Sequence, residues 1–260
     1  MKYMLLVYSD ENAWRPEEWV QCTKDSTEIC CELQAKGQYL FASPLHPVAT
    51  AHCVRQQEGK TIVTRGPFAE TNEQLGGFFA IDVPNLDDAI AIAERLPAAK
   101  KGTIEIRPIR DLESLPPASN EADTGGPKFM FLCYDDEEAW KNLGEAEHLK
   151  AMEVASNNAN ELFQKGWYVS AAPLHGSDTA TCVRLRQNRR AVTDGPYTET
   201  REILGGYFIV ATPSLEDALH YASRHPGLRF GAVEVRQIFD LPALPQSGFR
   251  SAPWPGKERA

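Results

Sequence analysis

Apolar positions cluster in a run from Tyr3 to Tyr8, and a second run of the same aromatic and aliphatic kind spans Phe129 to Tyr134. Both read as buried strands. A helical stretch follows the first, from about Pro16 to Lys36, with a proline suited to an opening helical turn and Gly37 suited to the stop. Next come a strand near Tyr39 to Ala42, a β-ribbon from Ala51 to Arg55 and Thr61 to Thr64, and a strand from Phe78 to Val83. A second helix from Asp87 to Leu96 and a last strand from Thr103 to Ile109 complete the unit.

The unit is written twice. Lys36-Gly37 returns 129 residues later as Lys165-Gly166, and the same offset carries Pro44-Leu45-His46 onto Pro173-Leu174-His175. It also carries Leu75-Gly76-Gly77 onto Leu204-Gly205-Gly206. Earlier in the unit the offset is 126, pairing Tyr8 with Tyr134 and Trp14 with Trp140, so three residues entered the first helix region of the second copy. A period this long means duplicated domains and excludes the short units of a solenoid. The expected division is a first copy over 1–113, a linker over 114–127, a second copy over 128–245 and an irregular tail over 246–260.

Each copy predicts an α+β fold, an antiparallel sheet with both helices on one face, which is the ferredoxin-like plan with a hairpin added. The uncovered sheet face needs a partner. The other copy's sheet is the nearest candidate, giving a pseudo-twofold α+β barrel inside one chain.

Charge and composition narrow the function. The formal net charge is -9, which opposes contact with phosphate backbones and anionic lipid surfaces, so neither nucleic acid nor membrane is an expected partner. The opening residues lack the features of a signal peptide, and no stretch approaches the roughly 18 apolar residues that span a bilayer. Cys22, Cys30, Cys31, Cys53, Cys133 and Cys182 have neither paired C-x-x-C spacing nor histidines at zinc-finger spacing. A cytoplasmic protein with reduced thiols, and without a structural metal, is the expectation.

The most informative segment is Thr193-Asp194-Gly195-Pro196-Tyr197-Thr198-Glu199-Thr200, whose first-copy counterpart is Thr64-Arg65-Gly66-Pro67-Phe68-Ala69-Glu70-Thr71. With the glycine pairs that follow, it resembles the DGPF signature of YCII-related proteins, and the similarity extends through nearly all of both copies. The resemblance implies a dimeric α+β barrel with enzyme-like clefts. It also implies an association with sigma-factor regulation.

Asp before Gly supports a tight turn, and Gly before Pro steers the backbone toward an extended form. The alternative reading places Asp194 and Glu199 at the barrel mouth as paired carboxylates for acid/base work. Arg65 stands where the second copy has Asp194, which makes the second copy the candidate active half and leaves His46, Arg55, Arg65 and Glu70 as a degenerate first site. His175, in Pro-Leu-His at a strand end, is either a structural histidine or the proton partner of Asp194. Arg184 is a candidate anion clamp, and Tyr197 a substrate contact.

His148 resembles the helix histidine of the classical YCII branch, which pairs there with an Asp before a late proline. Here that position reads His225-Pro226, so the dyad is absent in that form. Arg107 and Arg236, alternating with glutamates on the last strands, either face inward to hold a carboxylate or pair with the glutamates across strands. Two functions follow as expectations. One is a small-molecule enzyme working by acid/base chemistry in a barrel cleft without a cofactor, with Asp194, His175 and Glu199 as its catalytic set and Arg184, His148 and Tyr197 binding substrate. The other is a non-catalytic module binding a metabolite or a protein. The internal pseudo-dimer leaves room for a homodimer.

Overall fold

The structure, a computed structural model, describes residues 1–68, 71–119, 126–187, 189–198 and 200–239. The first copy runs β1 (Lys2–Ser9), α1 (Pro16–Ala35), β2 (Tyr39–Pro44), β3 (His52–Gln57), β4 (Lys60–Arg65), β5 (Gln74–Asp82), α2 (Leu86–Arg95) and β6 (Thr103–Pro108). The second repeats it as β7 (Lys128–Asp135), α3 (Glu137–Leu143), α4 (Glu145–Gln164), β8 (Tyr168–Pro173), β9 (Thr181–Arg186), β10 (Arg189–Asp194), β11 (Ile203–Ala211), α5 (Leu215–Ala222) and β12 (Ala232–Gln237). The three residues that shift the repeat's offset lie where α3 precedes the long helix, with Gly144 at the junction.

Strand alternation divides the interior into three layers. Tyr3, Leu5 and Val7 of β1 face α1 and α2, where they meet Ile29, Leu33, Ile90 and Ala93. Phe129, Phe131 and Cys133 of β7 likewise meet Leu162 of α4 and Tyr221 of α5. The intervening residues Met4, Leu6, Met130 and Leu132 point the other way and pack with Phe78 and Tyr207 in a core drawn from both sheets. A side-chain period of two makes one strand serve both layers. The two sheets therefore bury each other's free faces, as the repeat predicts. Each buried Leu, Met or Phe contributes about 1.5–3 kcal/mol.

The strand order departs from two self-contained sheets. The first sheet runs β10-β9-β6-β1-β5-β2 and the second β4-β3-β12-β7-β11-β8. Each copy lends its ribbon to the other's sheet: β9 pairs with β6 through Ile104 opposite Val183, and β3 pairs with β12 through Val233 opposite Val54. Nothing local selects which β6-like edge a ribbon joins, because the two copies present nearly the same edge. Single bridges between Leu45 and Ile238 and between Ile109 and Leu174 link the end of each copy's edge strand, β2 or β8, to the end of the other copy's last strand.

Buried ion pairs anchor the exchange. Arg107 and Arg236 are each 1% exposed, and they pair with the glutamates, but in the interior and not across strands. Each pairs along its own strand, Arg107 with Glu105 and Arg236 with Glu234, at 3.2 and 3.1 Å. Each also donates to the carbonyl of the Pro-Leu-His histidine of the other copy, Arg107 to His175 and Arg236 to His46. The glutamates use their second oxygen on the lent ribbon's loop: Glu105 accepts from the backbone N–H of Tyr197 at 2.8 Å, and Glu234 from that of Phe68 at 2.6 Å.

Removing one member strands the other charge in the interior, which costs about 3–5 kcal/mol. Arg236→Met is expected to destabilise the chain by that amount in chemical denaturation. The double variant Glu234→Leu with Arg236→Met should recover part of it. A loss under about 1 kcal/mol for the single variant would show that the pair does not hold the ribbon.

Candidate functional site

Two cavities flank the ribbon loops. The one near the pseudo-twofold axis is about 40 Å³, lined by Tyr8, Phe68, Tyr134, Tyr197 and Glu234. That is far below the roughly 300–1,000 Å³ typical of small-molecule sites. The rings around it are stacked, Tyr8 on Tyr197 at 4.5 Å and Phe68 on Tyr134 at 4.2 Å between centroids. The other is a cleft of about 690 Å³ in the second copy, bounded by Asp136, Glu137, Asn142, Arg201, Ile203 and Phe230. Its volume falls in the range of roughly 300–1,000 Å³ typical of small-molecule sites.

Asp135, the last residue of β7, stands one residue behind the wall of this cleft. Its chain neighbour Asp136 and its cross-strand partner Ile203 both line it. Asp135 Oδ2 accepts a hydrogen bond from Trp140 Nε1 at 3.0 Å. Two glycines make room for the carboxyl. A Cβ on Gly205 would lie 2.8 Å from Asp135 Oδ1, and one on Gly227 would lie 3.4 Å from Oδ2 and 2.9 Å from His225 Nδ1. Gly205 is also the bulge residue skipped in the β7–β11 register.

Burial pushes the Asp135 carboxyl up to about 7, reinforced by the like charges of Glu137, Asp136 and Glu202 and opposed by the Trp140 hydrogen bond. Burial pushes His225 down to about 4. Its Nδ1 accepts from the Gly227 N–H at 3.1 Å, which places the proton of the neutral ring on Nε2. The carboxyl thus changes charge near neutrality beside an imidazole kept neutral.

The first copy has the same frame without the acid. Trp14 Nε1 donates to Ser9 Oγ at 3.1 Å, the counterpart of the Trp140 contact. Leu96, Ala98 and Lys101 stand where the second copy has His225, Gly227 and Phe230. Lys101 lies over the Trp14 ring at 5.0 Å and is held by Glu18 and the Ala13 carbonyl.

The residues singled out by sequence scatter across this framework. Asp194 ends β10, exposed and opposite Thr181, and His175 is exposed beyond β8. Neither side chain joins the other in a hydrogen bond among the described residues, and neither lines either cavity. Glu199 and Glu70 lie outside the described residues, as does the tail over 246–260. Arg184 Nε donates to Thr103 Oγ1 at 2.8 Å, tying β9 to β6, and Arg55 forms a two-point pair with Glu202, tying β3 to a loop. Arg65 is exposed at the end of β4, and His46 stacks on Phe239 at 4.0 Å. Tyr197 lines the small central cavity. Only His148 reaches the cleft's surroundings, stacked on Trp140 at 5.4 Å. Asp135 was missed, although the repeat held its signal: a serine in one copy and an aspartate in the other, each five residues before a shared tryptophan.

Comparison with known proteins gives the family. The model of the YCII-related domain matches residues 1–113 and again 128–242. The chain belongs to the YCII-related family. The uncharacterized protein R00369 of Rhizobium meliloti (strain 1021) is 38% identical over 114 residues, which cover 42% of this chain and 92% of that protein. Of solved structures, the provisionally named chlorite dismutase TA0507 aligns over 92% of this chain and 94% of its own, at 14% identity and a TM-score of 0.41. Among the described residues, this YCII-related chain has no helix long and apolar enough to cross a membrane and no cluster of three metal-ligating side chains.

The two shifted groups give opposite pH limbs. A carboxyl whose folded value is raised from 3.8 to about 7 loses stability as pH climbs through that window, at about 1.4 kcal/mol per unit. An imidazole lowered from 6.5 to about 4 gains stability as pH climbs through its own window. In the wild type these nearly cancel. Asp135→Asn keeps the acceptor for Trp140 and removes the first limb, so its stability relative to wild type should rise between pH 4 and pH 7, by on the order of 4 kcal/mol at most. Denaturant titrations at several pH values measure it, and a difference that stays constant with pH would refute the raised carboxyl.

Proposed function

We propose that this YCII-related protein binds a small organic molecule in the second-copy cleft and moves a proton on it, with Asp135 as the group that takes and returns the proton. One observation carries the reading: a carboxyl cradled by Gly205 and Gly227 and raised by burial to about 7 lies directly behind the wall that Asp136 and Ile203 give a cleft of about 690 Å³. A general acid or base works best when its pKa lies near the working pH. As carboxylate, Asp135 takes a proton from a substrate carbon or oxygen and becomes the acid. The same proton then returns to a different atom or to a leaving group, a balance that fits isomerase or lyase chemistry. His225, neutral and set like the Asp135 carboxyl against Gly227, is the second proton-bearing group, and Phe230 and Ile203 offer an apolar wall to the substrate body.

The first copy's Ser9 and Leu96 can do none of this, so the reading assigns one site per chain. The Asp194 and His175 pairing draws no support from their exposed, separate positions.

A thermal-shift screen of small carboxylic acids, lactones, enols and phenols tests the proposal, because a ligand specific for the native state raises its apparent stability. Calorimetry on any hit is expected to show one molecule bound per chain, with affinity changed at least tenfold by Asp135→Asn and unchanged by Asp194→Asn. Two sites per chain, or a hit sensitive to Asp194→Asn alone, would move the site elsewhere.

A further inference from the structure

We infer that Trp140 is the positioning residue of this site: its indole N–H holds the Asp135 carboxyl in one orientation and sets the pH at which that carboxyl ionises. The inference rests on the reading of Asp135 as the proton-carrying group.

The geometry leaves the indole little freedom. Trp140 is 8% exposed, with the Phe230 ring set edge-on at 5.0 Å and 88° and the His148 ring stacked at 5.4 Å and 27°. It follows Asp136, which caps α3 by accepting from the Ala139 N–H at 3.0 Å and is clasped by Arg201. The donor is therefore fixed before any ligand arrives. On the other side Gly205 and Gly227 close around the carboxyl, so Oδ2 stays on the indole.

The surroundings make this one contact decisive. Asp136, Glu137 and Glu202 bring negative charge, Cys133 on the same strand is a thiol that burial keeps protonated, and His225 is neutral. Among the described residues Trp140 is the one hydrogen-bond donor to the Asp135 carboxyl. A donor binds a carboxylate more strongly than it binds the neutral acid, so the indole draws ionisation back toward neutrality against the burial that opposes it. An indole N–H has no acceptor lone pair and does not ionise near neutral pH, so it tunes the proton without carrying it.

The internal duplicate supplies a reference for this contact. Trp14 makes the same bond to Ser9 across the same interval, with a hydroxyl that does not titrate. The donor is common to both copies, and the second copy pairs it with an acid.

The two indoles also supply the test within one molecule. NMR of the full chain follows the Trp140 and Trp14 Nε1–H resonances and the aspartate side-chain carbons against pH. The expected result is a Trp140 N–H that shifts with the same midpoint as the Asp135 carboxyl, while the Trp14 N–H stays still. In Trp140→Phe, which keeps a ring against Phe230 and His148, the Asp135 midpoint should rise by about one pH unit. A Trp140 N–H that ignores the Asp135 titration, or a Phe variant that is less stable but leaves the midpoint in place, would reduce Trp140 to a packing residue. A wild-type Asp135 midpoint near 4 would instead sink the acid/base reading itself, and this inference with it.

Discussion

The buried pairing of Glu105 with Arg107 and of Glu234 with Arg236 is the contact on which the rest of this molecule depends. Each glutamate divides its two oxygens between an arginine on its own strand and a backbone N–H on the ribbon loop lent by the other copy. Each arginine in turn reaches a carbonyl of the opposite copy. A charge taken this far from water is tolerable only when it is paired and hydrogen-bonded, and here both copies supply the partners, with Nε of each arginine alone left without one among the described residues. Neither half is complete without the other's ribbon.

That reciprocity explains why the signature loops are so alike in the two copies while their polar side chains differ. What the glutamates recognise is the main-chain N–H of Phe68 and Tyr197, held by the Gly-Pro turn before it. The side chain ahead of the glycine, Arg65 in one copy and Asp194 in the other, lies outside that contact and is exposed. A motif rich in chemical groups thus serves first as an anchor for backbone. The carboxyl that burial raises to about 7 sits instead at the end of a central strand.

Divergence between the copies is concentrated around that strand end. Ser9, Leu96, Ala98 and Lys101 in the first copy correspond to Asp135, His225, Gly227 and Phe230 in the second. The first set closes around Trp14, with Lys101 laid over its ring. The second opens a cleft and places a carboxyl beside it. Because the frame is duplicated and held together by both copies, one half can keep structural side chains at these positions while the other takes on titratable ones.

Sequence by itself determined the duplication, the element order, the α+β class and the family resemblance, because these rest on local periodicity, turn residues and a register shared over the whole chain. It also held the Ser9 and Asp135 contrast, though without burial there is no reason to prefer that aspartate to Asp194. Tertiary structure alone decided that the ribbons cross, since two near-identical edges compete for each ribbon and only the closed barrel selects between them. It alone separated Asp194 from His175 and brought Asp135, Trp140, Gly227 and His225 together from distant stretches of chain. Desolvation and hydrogen-bond geometry, which set a carboxyl's chemistry, come into being only when those stretches pack.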